Sequence, residues 1–243
     1  MRNSNVRESI QISLVIPCYN EEGNIHKLLE KTSLLVETDP RFEVIYVNNG
    51  STDSTRILLE GLAPNLARTR VLNLEENVGY GHGIKRGLEA STGSIVGWTH
   101  ADLQTDPMDA LKGLEAAGDS WEKTLIKGLR TNRPLVDSAF TFGMSIFESI
   151  LFKTRLRDIN AQPTLFSRDL LNSVLEGPDD FSLDLFTMVR ASQAGYRQIR
   201  FTVDFGPRFR GVSKWNTSYR ARLRFIKRTV EYSLALSKRR RTA

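Results

Sequence analysis

Short apolar runs alternate with longer helical patterns through the first half of this chain. The apolar runs occupy residues 12–16, 42–47, 71–74 and 95–99, and the helical patterns occupy 24–36, 54–62, 79–90 and 107–117. Such alternation is typical of a parallel β-sheet whose faces are covered by helices. We therefore predict an α/β fold with a mostly parallel central sheet, four strands of which are in place by residue 99.

The regular alternation ends after a fifth predicted strand at residues 124–127. The remaining predicted segments are an amphipathic stretch at 138–153, helices near 168–175, 183–193 and 219–237, and an edge strand at 198–205. No internal repeat, low-complexity segment or linker rich in proline and glycine marks a domain boundary. We therefore predict one domain over residues 1–243, with a basic helix and tail over roughly 217–243.

Composition narrows the class of protein. The 243 residues are 40% hydrophobic, which is enough for a sizeable core, and Cys18 is the only cysteine. A single cysteine excludes a disulfide framework and a cysteine metal site, and it fits a reducing cytosol. Residues 1–9 lack the apolar run of a secretory signal, and residues 140–152 are too few and too polar to span a bilayer. We expect a cytoplasmic protein.

The formal net charge is +6, and positive charge gathers after residue 195. This excess suits an anionic substrate, an anionic membrane surface or nucleic acid. Because aromatic and basic residues do not interleave on an evident recognition element, we expect no nucleic-acid partner. The apolar residues of 140–152 fit either a helix lying at a membrane interface or ordinary core packing. We predict peripheral association with the inner face of the membrane.

Ligands of open α/β sheets bind beyond the carboxyl ends of the strands. The loops at that edge are predicted at residues 17–22, 48–53, 77–83 and 100–106. The first loop could bind a nucleobase, although its carboxylates also suit a helix N-terminus. The amides Asn48 and Asn49 in the second loop could meet a base or ribose, or this loop could simply cap the next helix. The glycines of the third loop lack the position and spacing of a dinucleotide fingerprint, and would let a helix end approach a ligand or the sheet.

The fourth loop carries the sequence His100-Ala101-Asp102-Leu103-Gln104. If the strand stays extended through it, His100, Asp102 and Gln104 point the same way. A carboxylate and an amide oxygen suit a hard divalent ion that a substrate diphosphate helps to coordinate, so Asp102 is the best candidate metal ligand. The three histidines lack a regular zinc-ligand spacing. Farther along, residues 208–215 hold three cations that suit phosphate binding or form a basic surface loop.

Six ordered motifs between residues 13 and 215 resemble family 2 glycosyltransferases of the GT-A fold, and more closely the dolichyl- or undecaprenyl-phosphate sugar synthase branch. The motifs occupy residues 15–21, 49–53, 77–81, 101–104, 166–168 and 211–214. The resemblance implies a single GT-A domain, a nucleotide-sugar donor, a polyprenyl phosphate acceptor, and Mg²⁺ or Mn²⁺ as cofactor.

The resemblance also implies roles for individual residues. The nucleotide-binding residues would be Pro17, Tyr19, Glu21, Asn49, His100 and Ala101. The metal ligands would be Asp102 and Gln104, and the phosphate-binding residues would be Arg130, Arg208 and Lys214. The catalytic set would be Asp102, Asp184, Arg208 and Lys214, with Asp184 near the sugar or the acceptor.

Three positions depart from the family pattern. Asn48 and Asn49 stand where the family has paired aspartates, which could alter base preference. His100 replaces the first aspartate of the usual D-x-D motif, and Ser182 stands where a glutamine partner is expected near Phe181.

We predict a metal-dependent, inverting glycosyltransferase that moves a sugar from a nucleotide sugar to a polyprenyl phosphate. A phosphate monoester has a second pKa of about 6, so this acceptor is already a dianionic nucleophile and needs no protein base. One alternative is a family 2 transferase that acts on a soluble glycan or lipid-sugar acceptor, with Asp184 as its base. Another is a non-catalytic module that binds nucleotide sugars.

Overall fold

The computed structural model describes residues 11–118, 121–132, 135–210 and 219–242, of which 135–140, 219–225 and 239–242 are described by their backbone only. Its strands are β1 (Ile12–Cys18), β2 (Phe42–Asn49), β3 (Thr69–Leu74), β4 (Ile95–Trp98), β5 (Thr124–Thr131), β6 (Thr164–Ser167) and β7 (Arg197–Asp204). They form one seven-stranded sheet in the order β3-β2-β1-β4-β6-β5-β7. Because only β6 runs antiparallel to its neighbours, the predicted mostly parallel sheet is confirmed.

Helices cover both faces of this sheet. They are α1 (Ile25–Thr38), α2 (Thr55–Leu62), α3 (Tyr80–Glu89), α4 (Asp109–Ala117), α5 (Leu135–Phe152), α6 (Leu171–Leu175), α7 (Leu183–Gln193) and α8 (Tyr219–Thr242). Short 3₁₀ turns occupy Ala63–Asn65 and Arg168–Leu170, so the helix predicted near 168–175 is split in two. No described helix is long and apolar enough to cross a membrane.

Strand β1 explains how the core is divided. Its successive side chains point to opposite faces of the sheet, so Leu14 packs with α1, α2 and α4, whereas Val15 packs with α3, α6 and α7. Both faces of β1 and β2 are buried, and such strands have continuous apolar sequences. That continuity is why these strands were predictable from sequence.

Strand β6, at residues 164–167, was not predicted from the sequence. It has only four residues, and its partners β4 and β5 are distant in sequence. Four residues are too few to establish a period of two. The strand is therefore defined by its tertiary pairing.

Candidate functional site

The loops that follow β1 and β2 are joined by hydrogen bonds at the carboxyl edge of the sheet. The Asn20 side chain donates to Thr52 Oγ1 over 3.2 Å and accepts from the Thr52 N–H over 2.8 Å. The backbone N–H of Glu21 donates to Thr55 Oγ1 over 2.8 Å. Half-buried Pro17 and Tyr19 lie at the end of β1 beside this junction. Two loops predicted to hold the nucleotide thus form one surface.

Glu21 lies in an electrostatic cluster with Asp102 and Arg208. Burial raises the pKa of Glu21 to about 7, partly opposed by a hydrogen bond from the Asn24 amide. The Asp102 carboxylate raises this pKa further, and the Arg208 guanidinium lowers it. The structure thus brings together a predicted nucleotide residue, a predicted metal ligand and a predicted phosphate-binding residue.

Asp102 is 4% exposed, and its carboxylate makes two contacts. Its Oδ2 lies 3.0 Å from Arg208 Nη2, and its Oδ1 accepts the Gln104 backbone N–H over 3.1 Å. The Gln104 amide Nε2 donates to the Gly206 carbonyl over 3.2 Å. Both predicted metal ligands therefore contact the segment that carries Arg208.

The premise that the strand stays extended through this loop is wrong. Strand β4 ends at Trp98, and Leu103 adopts a positive φ of 58°, which turns the backbone between Asp102 and Gln104. As a result His100 contacts Tyr80, whereas Asp102 contacts Arg208.

The donor set around Asp102 fits a partial metal site. Among the described residues there is no group of three or more His, Cys, Asp or Glu side chains that could hold a metal ion. Asp102 and Gln104 could therefore supply only part of an oxygen shell, and a substrate diphosphate would supply more. The carboxylate of Asp102 already faces a positive charge on Arg208, so a cation suits this position electrostatically.

His100 contacts an aromatic pair at the same edge. Its Nε2 lies 3.0 Å from the Tyr80 hydroxyl, and the Tyr80 ring stacks on Phe181 with centroids 4.4 Å apart. Burial lowers the pKa of His100, which favours the neutral imidazole. A neutral ring can bond ribose or base atoms, but it cannot replace the negative charge of an aspartate. Ala101, the next residue, is buried.

Asp184 lies inside the protein. Its Oδ1 accepts hydrogen bonds from Lys127 Nζ at 2.7 Å and from Gln162 Nε2 at 2.9 Å. The Asp184 and Lys127 side chains are each 1% exposed, and burial lowers the pKa of Lys127. A glutamine partner thus exists in space, although it precedes β6 rather than neighbouring Phe181. These partners enclose the Asp184 carboxylate. Its role at the sugar or the acceptor stays a prediction.

Arg130 lies at the end of β5 and forms an ion pair with Asp158. Its guanidinium carbon is also 5.0 Å from the centroid of the Phe205 ring. It lines a cavity of about 70 Å³ between the sheet edge, α5 and α8. The other residues that line it are Thr141, Met144, Ser145, Glu148, Ile159, Asn160, Phe181, Ser182, Leu185, Arg228 and Thr229.

Glu148 lines this cavity and was not predicted from the sequence to be functional. It is 2% exposed, and Ser233 of α8 donates a hydrogen bond to it over 3.3 Å. Burial raises its pKa to about 7. A charged residue within a predominantly apolar helix was the only available signal.

The third loop, at residues 77–83, packs against other parts of the protein. Asn49 Nδ2 donates to the Gly79 carbonyl over 2.9 Å, while Asn48 Nδ2 donates to Asn73 Oδ1 over 3.1 Å. A Cβ added at Gly79 would lie 2.2 Å from the Asp179 carbonyl oxygen, and one added at Gly81 would lie 2.4 Å from that of Pro178. Gly79 and Gly81 therefore admit the backbone of the loop before α7. A Cβ added at Gly83 would lie 2.9 Å from the Asn49 amide at the end of β2, so the predicted close approach to the sheet is confirmed at Gly83. Lys214 and its motif at 211–215 lie outside the described residues.

Residues 13–164 match the sequence model of Glycosyl transferase family 2. The chain belongs to this family. The matched residues begin within β1, contain β2 to β5 and the Asp102 loop, and end at the first residue of β6, so they exclude Asp184 and Arg208. Family membership, as predicted, is thereby confirmed.

Curated relatives of the family share about a quarter to a third of aligned residues with this chain. An uncharacterized glycosyltransferase of Synechocystis is 29% identical over 218 residues, covering 86% of this chain and 65% of that protein. An undecaprenyl-phosphate 4-deoxy-4-formamido-L-arabinose transferase of Aeromonas hydrophila is 27% identical over 221 residues, covering 88% of this chain and 65% of that protein. The dodecaprenyl-phosphate galacturonate synthase of Rhizobium johnstonii is 32% identical over 133 residues, covering 52% of this chain and 38% of that protein. The chain thus spans less than two thirds of each of these relatives.

Solved structures confirm the GT-A fold. The glucosyl-3-phosphoglycerate synthase of Mycobacterium tuberculosis, in complex with Mn²⁺, UDP and glucosyl-3-phosphoglycerate, superposes with a TM-score of 0.69 at 20% identity, covering 93% of this chain and 79% of that one. A mannosyltransferase of Pyrobaculum calidifontis in complex with GDP-mannose and Mn²⁺ superposes with a TM-score of 0.59 at 24% identity, covering 84% of this chain and 59% of that one. At this level of identity the likeness shows the fold.

Proposed function

We propose that the protein is a metal-dependent, inverting glycosyltransferase that moves a sugar from a nucleotide-sugar donor to a polyprenyl phosphate. The observation that carries this proposal is the convergence of Glu21, Asp102 and Arg208 at the carboxyl edge of the sheet. The choice of acceptor is supported by two relatives that are named as an undecaprenyl-phosphate 4-deoxy-4-formamido-L-arabinose transferase and a dodecaprenyl-phosphate galacturonate synthase.

The donor would lie across the loops after β1, β2 and β4. Pro17, Tyr19 and Asn49 would hold the nucleoside, with His100 and Ala101 beside it. Mg²⁺ or Mn²⁺ would be held by Asp102 and Gln104 together with diphosphate oxygens. When bound, the ion stabilises the negative charge of the departing nucleoside diphosphate. Arg208 and Lys214 would complement that charge.

The acceptor phosphate would enter from the side of Arg130. A dianionic phosphate needs no base, so positioning its oxygen behind the anomeric carbon would be the main requirement. Arg130 and Arg228 both line the cavity next to the Phe181 ring, and Phe181 stacks on Tyr80 of the donor side. The enclosed Asp184–Lys127 pair is consistent with a reaction that uses no carboxylate base. A single displacement predicts inversion at the anomeric carbon.

We also propose that the protein lies at the cytoplasmic side of a membrane surface, and helix α5 supports contact with such a surface. Phe142, Ile146 and Ile150 are 64%, 45% and 73% exposed and recur every four residues, so they form a stripe along one helix face. A surface groove beside them is also lined by Arg155 and Arg157, whose charge suits anionic lipid. An apolar stripe flanked by cations is typical of an interfacial helix.

A hydroxyl acceptor on a soluble glycan or lipid sugar is the second candidate. It would require a base, and Glu148 lines the cavity with a pKa raised to about 7. That value suits proton abstraction at neutral pH. Glu148 thus replaces Asp184 as the candidate base for this alternative, because Lys127 encloses the Asp184 carboxylate.

The test is transfer by the purified full chain. UDP- and GDP-sugars would be supplied separately with Mn²⁺ or Mg²⁺, and with undecaprenyl phosphate or soluble glycans as acceptors. We expect lipid-linked product from undecaprenyl phosphate, and we expect the Glu148→Gln variant to form it as well. Product on hydroxyl acceptors alone, lost in Glu148→Gln, would establish the second candidate instead. Donor binding without any transfer would favour a non-catalytic module and overturn both.

A further inference from the structure

Residues 205–210, which we name the strap, join the two halves of the candidate donor site. The Gly206 N–H donates to the Gln104 carbonyl over 3.0 Å, and the Phe209 N–H donates to the Asp102 carbonyl over 3.4 Å. On its other side, the Asn24 amide donates to the Arg210 carbonyl over 3.4 Å. The strap therefore contacts both the Glu21 loop and the Asp102 loop.

Arg208 is the strap residue that reaches the Asp102 carboxylate. Its Nη2 lies 3.0 Å from Asp102 Oδ2, whereas its Nε is buried and has no hydrogen-bond partner among the described residues. A guanidinium at a dedicated carboxylate site commonly makes two parallel bonds. Arg208 makes one ion-pair contact within the part of the chain that the structure describes, and its side chain is 27% exposed, which indicates that it can leave this position without unfolding the core.

We propose that Arg208 and the divalent cation compete for Asp102. Without metal, the guanidinium occupies the cationic position against the carboxylate; with metal and donor bound, Arg208 moves off and pairs with the donor diphosphate. This inference rests on the proposed metal site. Two cations at contact distance from one nearly buried carboxylate repel each other strongly, because the interior screens charge weakly. Occupancy by one therefore disfavours the other.

The competition couples metal binding to donor binding. Metal alone must displace Arg208, whose positive charge then lacks its carboxylate partner. A nucleoside diphosphate supplies a new anionic partner and so removes that cost. Metal and nucleotide should therefore strengthen each other's binding by the same factor.

The test compares Arg208→Gln with Arg210→Gln, a neighbouring strap substitution whose guanidinium lies beside the Phe209 ring instead. Free Mn²⁺ would be measured by electron paramagnetic resonance during titration, without nucleotide and then with UDP or GDP. We expect Arg208→Gln to bind Mn²⁺ about tenfold more tightly without nucleotide, equivalent to about 1.4 kcal/mol, and to lose most of the nucleotide-induced gain. Arg210→Gln should behave as wild type.

Asp102→Asn separates failure of this inference from failure of the metal site. If wild type binds Mn²⁺ with nucleotide and Asp102→Asn does not, the metal site stands. An unchanged or weaker nucleotide-free affinity in folded Arg208→Gln would then overturn the competition alone. If Asp102→Asn binds Mn²⁺ as wild type does, both the metal site and the competition are overturned. Circular dichroism of each variant verifies folding.

Discussion

Asp102 and Asp184 are two nearly buried carboxylates that each face a cation, yet the surroundings of the two pairs differ. Asp184 bonds Lys127 of β5, and both side chains are 1% exposed. Asp102 bonds Arg208 of the strap, whose side chain is 27% exposed. The first pair is enclosed by core and sheet, whereas one partner of the second reaches solvent. The two pairs therefore differ in the exposure of the cationic partner rather than in the burial of the carboxylate.

Glu148 extends this comparison to a third buried carboxylate. Among the described residues it has no ion-pair partner, and it accepts a hydrogen bond from the Ser233 hydroxyl. Without an ion-pair partner among those residues, burial favours the neutral acid. Among the residues with described side chains, the three carboxylates thus represent a pair enclosed in the core, a pair with a partly exposed cation and an acid without an ion-pair partner. We call them the enclosed pair, the openable pair and the unpaired acid.

Breaking the enclosed pair should have the largest effect on stability. Lys127→Met leaves Asp184 as a buried charge without its cation, which we expect to cost about 3–5 kcal/mol in the free energy of unfolding. Urea denaturation at pH 7 measures this loss. The double substitution Lys127→Met with Asp184→Leu should recover much of it. A near wild-type stability for Lys127→Met alone would show that the pair contributes little.

Breaking the openable pair should instead affect transfer. We expect Asp102→Asn to lower the transfer rate by about 10²–10³-fold, because charge stabilisation of the leaving group is lost. Its melting temperature should change little, since Arg208 can turn toward solvent. Asp106→Asn is the matched control on the same loop, where Asp106 pairs with Lys31 nearer the surface. Equal losses in both variants would contradict a special role for Asp102.

Removing the unpaired acid should make stability depend less on pH. The folded-state pKa of Glu148 is raised from 4.5 to about 7, so its stabilising contribution is complete at low pH and is lost as pH rises through 7. A tenfold change in proton affinity corresponds to about 1.4 kcal/mol. Because water entering the cavity reduces the effect, we expect the free energy of unfolding of Glu148→Gln to exceed that of wild type by roughly 2 kcal/mol at pH 8. At pH 4 the difference should be small.

Thermal unfolding of wild type and Glu148→Gln at pH 4 and pH 8 gives the measurement. The comparison of the two proteins cancels the contribution of Glu21, whose pKa is also raised to about 7. The same offset at both pH values would mean that Glu148 does not titrate in this window.

The smallest effect on stability is expected from the exposed stripe of α5. Phe142→Ser and Ile150→Ser should each change the free energy of unfolding by no more than about 0.5 kcal/mol, because both side chains are exposed. Flotation of the double variant with vesicles containing anionic phospholipid should nevertheless fall clearly. Leu34→Ser, which removes an apolar side chain 53% exposed on α1, is the control and should float as wild type does. Undiminished flotation of the double variant would contradict membrane contact through α5.

Local sequence predicted most elements but not the geometry between them. Strands β1 and β2 and the helices that follow them were recovered because their periodicity lies within a few residues. The four-residue β6 was not recovered, and the extended geometry expected from His100 to Gln104 is interrupted by the positive φ of Leu103. In the same way, the close contact of Gly79 and Gly81 with the backbone of Asp179 and Pro178 was not predicted.

The sequence by itself determined the family, the α/β fold and the loops that meet at the carboxyl edge, because apolar periodicity and motif spacing are local properties. Only the tertiary structure decided how each acidic side chain is held. Lys127 and Asp184 are 57 residues apart, and Gln104 meets Gly206 across 102 residues. Whether a carboxylate is enclosed or can open depends on which distant side chain reaches it, and chain folding over such separations leaves no periodic signal in the sequence.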